Sequence, residues 1–197
     1  VRYYPKPNYW NNLLYTMMRG EGITDRHMLH IYRLMQDTGT LKQANDYTEM
    51  AQIAMDQGTP GEAVTVLEAG ITAKVFEDKA AADRNQRLLD AAKKAAAADK
   101  ESLTKFEAEA KAAKTGEADI ALGRGYLSYN MNEQAVEAFT RGIGKGGLKN
   151  PEEAQILLGV AQLRAKQKSA AVKTFNDVKS GDANYKRIAE LWALHAS

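Results

Sequence analysis

Hydrophobic positions along this chain recur at helical spacing. Strand-like alternation is confined to Val64-Thr65-Val66, inside a run that keeps helical phase at Ala63, Val66, Leu67 and Gly70. Helix starts are well marked. Thr59-Pro60-Gly61-Glu62 offers Thr as N-cap, Pro at the first helical position and a Glu able to reach back to the cap. Asn150-Pro151-Glu152-Glu153 repeats that logic, and Thr24-Asp25 and Gly181-Asp182 are further starts. Stops fall at Gly39, Gly58, Gly116, the Gly142-Ile143-Gly144-Lys145-Gly146-Gly147 cluster and Gly181, where left-handed C-terminal positions suit glycine. The pattern predicts helices over 8–19, 24–38, 42–57, 60–74, 78–98, 100–114, 117–129, 132–143, 151–166, 169–179 and 183–196. Connections are short, so successive helices should be antiparallel neighbours. Tyr185, Ile188, Leu191, Trp192 and Leu194 or His195 give the last segment the spacing of a closing helix.

The helices come in pairs that repeat. Ala51, Ala63, Leu67 and Gly70 fall on Gly123, Ala135, Phe139 and Gly142 at a step of 72, and Gly123, Ala135 and Phe139 fall on Gly159, Ala171 and Phe175 at a step of 36. Such a period indicates a solenoid. Small residues at the first two matched positions let two helices approach, and a bulky residue at the third fills what space remains. One such pair cannot bury its face alone and must stack on neighbours.

These matched residues resemble the tetratricopeptide repeat (TPR). Leu122-Gly123, Tyr126, Ala135 and Phe139 follow its pattern, and Leu158-Gly159, Ala171 and Phe175 follow it with Gln162 in place of the Tyr. Tyr47, Met50-Ala51, Ala63 and Leu67 are recognisable as a third copy. Pro7-Asn8-Tyr9-Trp10-Asn11-Asn12-Leu13 resembles a repeat start, although its second helix carries Arg26 and His30 at the Ala and aromatic positions. The resemblance implies an all-α fold, a TPR-like right-handed superhelix of antiparallel helix pairs. Its parts would be a divergent pair at 1–40, a repeat at 41–76, a degenerate Ala/Lys/Glu-rich pair at 77–115, repeats at 116–150 and 151–181, and a capping helix at 182–197. Asp46-Tyr47-Thr48-Glu49-Met50-Ala51-Gln52, Lys145-Gly146-Gly147-Leu148-Lys149 and Leu191-Trp192-Ala193-Leu194-His195 further resemble the C-terminal part of exported bacterial proteins of this type. That resemblance implies a periplasmic or otherwise exported chain. The opening Val1-Arg2-Tyr3-Tyr4 reads as a cut from a longer protein.

The middle segment departs from the rest. Residues 77–114 hold few large apolar side chains (Leu88, Leu89, Leu103, Phe106), and the repeat register asks for a helix pair there with Asp99 capping its second member. The alternative is one long helix, because Leu88, Ala92, Ala95, Phe106, Ala110 and Ala113 nearly keep phase through Asp99.

Composition narrows the function. The chain has 27 basic and 25 acidic residues and no cysteine, which argues against nucleic-acid binding and excludes disulfides, thiolate metal sites and thiol nucleophiles. His27 and His30 stand at i, i+3 and could share a metal, but no third ligand is marked; exposed or half-buried polar residues are the expected reading. The glycine cluster around Lys145 is not a phosphate loop, since a helix precedes it and Gly follows the Lys. No nucleophile–base arrangement or cofactor motif stands out, so the expectation is a non-catalytic protein-interaction scaffold without cofactor. An oligomerisation or spacer module is the alternative.

By repeat phase, the exposed concave face should present Asn45, Thr48, Gln52 and Met55, then Ile120, Arg124 and Leu127, then Ile156, Val160 and Arg164, a mixed surface suited to a protein or peptide. The TPR carboxylate-clamp pattern is absent from these positions. Tyr3, Tyr4, Tyr9, Trp10, Tyr15 and Tyr32 cluster at the N-terminus, where an exposed aromatic seam would let the chain self-associate.

Overall fold

Ten helices account for the fold in a computed structural model that describes residues 7–179 and 181–197. They are α1 (Pro7–Met18), α2 (Asp25–Asp37), α3 (Ala44–Asp56), α4 (Pro60–Thr72), α5 (Lys79–Ala112), α6 (Glu117–Ser128), α7 (Asn132–Lys145), α8 (Pro151–Arg164), α9 (Lys168–Asn176) and α10 (Ala183–Ala196). No strand occurs among the described residues. Chain neighbours pack on one another, α1 on α2, α2 on α3, α3 on α4, and α6 through α10 in order, as expected of a helical repeat arrangement. The chain forms two compact units, one up to Ala97 and one from Ala98.

The repeat is physical as well as textual. A methyl group added at Gly123 would stand 2.6 Å from the ring of Phe139, and one at Gly159 would stand 2.4 Å from the ring of Phe175. Each ring therefore lies against bare backbone, and the two contacts are 36 residues apart. In the first unit, Ala51 and Leu67 hold the matching places and are fully buried.

The turns between paired helices repeat too. Gly58, Asn130 and Lys166 are left-handed, with φ of 71°, 58° and 62°. Each is followed by the same closing hydrogen bond: Thr59 N–H to the Ala54 carbonyl at 2.8 Å, Met131 to Tyr126 at 2.9 Å and Gln167 to Gln162 at 2.8 Å. This is the wider bond of a Schellman-type helix end. Gly22, one period before Gly58, also has positive φ.

One member of the series is missing. The register places it at Lys94, which lies inside α5, a continuous helix of 34 residues. The helix pair expected over 77–115 is thus a single helix. Its sequence explains this. Lys93-Lys94-Ala95-Ala96-Ala97-Ala98 contains no Gly or Asn to favour a left-handed turn and consists of strong helix formers. The two small positions of the other pairs are here Arg87 and Asp99, whose charges oppose burial in a helix–helix seam.

Several local signals play other parts than expected. Gly116 is the N-cap of α6, not a stop; a methyl there would meet the Gly142 carbonyl oxygen at 1.9 Å, so its role is close backbone approach. Gly142 and Gly144 lie within α7, and the left-handed turn falls at Gly146 and Gly147. Thr59 caps no amide; its single O–H is shared between the Ala54 carbonyl at 3.0 Å and the Glu62 carboxylate at 3.2 Å. Asp182 is a true N-cap, accepting from the backbone N–H of Asn184 at 2.7 Å.

Candidate interaction surface

The expected binding face divides sharply. On α3, Asn45 and Gln52 are exposed and Thr48 and Met55 half-buried, as the phase requires. Thr48 is engaged inward, its hydroxyl bonded to the Ala44 carbonyl at 3.0 Å and to Asn85 Oδ1 at 2.9 Å. In the second unit the expectation fails. Ile120, Leu127, Ile156 and Val160 are buried, and Arg124 and Arg164 are half-buried.

The reason lies in packing around α8. That helix touches α7 and α9 and also α6 and α10, so the side that would be concave is covered. Its buried apolar residues, Ala154, Ile156, Leu157, Val160 and Ala161, cover nearly half of its circumference, and the half-buried Leu158 and Leu163 extend the apolar surface beyond that arc, wider than the stripe of a surface helix. Arg124 turns into the interior and pairs at 2.9 Å with Glu153, whose side chain is 2 % exposed.

The histidines are buried rather than exposed. His27 Nδ1 accepts the Thr24 backbone N–H at 3.1 Å and so closes the start of α2, while His30 is fully enclosed. α2 packs between α1 and α3 and buries Leu29, Ile31, Tyr32, Leu34 and Met35 as well. Among the described residues no group of three or more His, Asp or Glu side chains could hold a metal ion.

Buried ion pairs are what residue spacing did not reveal. Arg33 forms a two-pronged bond to Glu62, Nε to Oε1 at 2.7 Å and an Nη to Oε2 at 2.6 Å, with both side chains under a tenth exposed. The signal available was an Arg inside the apolar run from Leu29 to Met35. Asp119, fully buried, meets Arg141 at 2.7 Å and Lys145 at 2.8 Å. Lys145 also donates to the carbonyls of Ala110 at 2.7 Å and Lys111 at 3.0 Å. Its three N–H donors are thereby all spent on structure, and the glycine cluster around it is an inter-helix turn.

A shallow polar cleft of about 380 Å³ opens where α1 meets the residues before α3, lined by Asn11, Asn12, Tyr15, Thr16, Arg19 and Gln43. Tyr15 donates a short hydrogen bond to Asp46 beneath it. Burial raises the Asp46 carboxyl above its ordinary range, and burial and the neighbouring Asp46 raise the Tyr15 phenol. In the second unit, burial and the bond to Glu107 push Tyr126 up to about 12, while Lys111 and Tyr126 hold the Glu107 carboxyl low.

The aromatic seam is mostly core. Trp10 and Tyr32 are buried, Tyr15 is half-buried, and Tyr9 is the one half-exposed at 50 %; Tyr3 and Tyr4 lie outside the described residues. No helix among the described residues is long and apolar enough to cross a membrane. No protein-family model, curated protein or solved structure matches the chain.

Proposed function

We propose that the chain is a non-catalytic interaction scaffold of TPR-like repeats that takes a protein or peptide on the exposed side of α3. The observation that supports this reading best is the placement of Asn45 and Gln52, which stand exposed on a helix whose other sides are packed. Amide side chains carry a donor and an acceptor together and so match the peptide group of an extended segment. The polar cleft continues from the same end of α3 through Gln43, adding Asn11, Asn12 and Arg19. The repeat identity, a right-handed superhelical path, membership of a larger bacterial protein and export to the periplasm belong to this proposal through the resemblance of the repeat residues.

The test is capture from an extract of the native organism on immobilised wild-type chain beside an Asn45→Arg/Gln52→Arg variant. Both positions are exposed, so the variant should keep the circular dichroism and melting temperature of the wild type. A protein retained by the wild type and lost by the variant is the expected outcome. Identical retention would remove α3 as the working surface.

A further inference from the structure

The exposed side of α3 has a counterpart one repeat earlier. Stepping Asn45, Thr48, Gln52 and Met55 back by 36 gives Tyr9, Asn12, Thr16 and Arg19, and all four are exposed. Three of them, Asn12, Thr16 and Arg19, line the polar cleft, with Gln43 before α3 on its other side. The cleft therefore belongs to the matched faces of two successive first helices, both within the first unit.

A second hollow of about 260 Å³ extends the cleft. It shares Asn11, Tyr15 and Gln43 with the first and adds Lys42, beside Asn8 and Thr40. The lining is thus ordered along its length. Arg19 stands in one lobe, Lys42 in the other, and side-chain amides in the part they share.

The charge of this lining is one-sided. Among the described residues no carboxylate lines either lobe. Arg19 and Lys42 are exposed, and neither their side chains nor those of Asn11 and Gln43 make a hydrogen bond or ion pair among the described residues. Arg33, Arg124, Arg141 and Lys145 are different, each being held by a carboxylate. The acids of α3 are engaged away from the cleft cations. Asp46 accepts the Tyr15 hydroxyl, and Glu49 stands beside the Tyr32 hydroxyl.

The spacing fits a short run of extended chain. Asn8 and Arg19, which mark the two ends, are 11 residues apart, about 16 Å at ~1.5 Å per residue. An extended segment covers that length with about five residues at ~3.3 Å each. Amides in the middle match its peptide groups, and a cation at each end matches a carboxylate.

We propose that this cleft is where the scaffold anchors its partner, and that it takes an extended internal segment of another protein with two acidic side chains about five residues apart, one at Arg19 and one at Lys42. The proposal rests on the scaffold reading. Both anchors are side-chain carboxylates, so no free chain end is required.

The probe is a six-residue peptide, acetylated and amidated, with glutamate at both ends and serine and glycine between. Nuclear magnetic resonance titration follows the side-chain amide signals of Asn11, Asn12 and Gln43. The peptide should shift them saturably, and less so as salt is raised. The same peptide with glutamine at its ends should bind about tenfold more weakly. Arg19→Glu/Lys42→Glu changes two exposed positions and should keep the fold while losing the glutamate peptide. That variant should instead take a peptide with lysine at both ends, which a merely structural effect of the substitutions would not produce. No shift with the glutamate peptide, equal binding of the glutamine peptide, or undiminished binding by the variant overturns the proposal. Shifts of the same signals by an acidic oligosaccharide such as trigalacturonate, with none from the peptide, overturn it as well. A captured protein that Asn45→Arg/Gln52→Arg loses and Arg19→Glu/Lys42→Glu retains in full would overturn this proposal and leave the scaffold reading standing.

Discussion

Phe139→Ala is expected to destabilise the chain by about 3–5 kcal/mol, the range for deleting a fully enclosed aromatic ring. Phe139 is completely buried, and its ring lies where a side chain on Gly123 would be. The resulting cavity has no ready means of closing. Gly123 has no side chain to move into it, and Gly116 and Gly142 already hold α6 and α7 at backbone contact. Urea unfolding followed by circular dichroism gives the value. Phe175→Ala should behave alike, since its ring sits on Gly159 in the same way and stacks on Trp192 at 5.8 Å. A loss below about 1 kcal/mol at Phe139 would contradict the packing described.

Glu62→Ala is expected to cost a similar amount, about 3–5 kcal/mol, for a different reason. It leaves the Arg33 guanidinium, 4 % exposed, without the two carboxylate bonds it makes now. Removing both charges together should be much milder. Arg33→Met/Glu62→Leu replaces a desolvated pair with apolar volume and should unfold within about 1–2 kcal/mol of the wild type, on either side. The contrast between single and double variants separates a buried ion pair from a merely well-packed one. Equal losses for both would say that shape, not charge, decides at this contact.

The sequence carried the paired helices and the repeat because both rest on local rules. Proline at a first turn, an Asp N-cap and left-handed glycines act within a few residues, and the small-and-large pattern recurs at matched positions. The α5 outcome was undecided because two local rules conflict there. The register asks for a turn at Lys94, while the lysines and alanines around it favour helix continuation, and no glycine or asparagine tips the balance. Burial in the second unit depends on which helices cover a face. Ile156 and Val160 are exposed if α8 has neighbours on one side only, and buried once α10 and α6 close over it. The unusually wide apolar surface of α8, with Leu158 and Leu163 beside the buried set, was the available clue. The partners of Arg33, Asp119 and Arg124 were not legible, since they come from residues 29, 22 or 26, and 29 positions away whose charges looked like those of solvated faces.

The central claim is a 36-residue helix-pair repeat interrupted by one unbroken helix. It is tested most directly by a distance along α5. Spin labels on cysteines introduced at the exposed positions Arg84 and Ala108, diluted with unlabelled chain, report it by dipolar spectroscopy. A continuous helix places these positions about 36 Å apart at ~1.5 Å per residue, and a single distribution near that value is the predicted result. A helix pair folded at Lys94 would bring them to the spacing of packed helices, about 8–10 Å between axes, and a distribution there would contradict it.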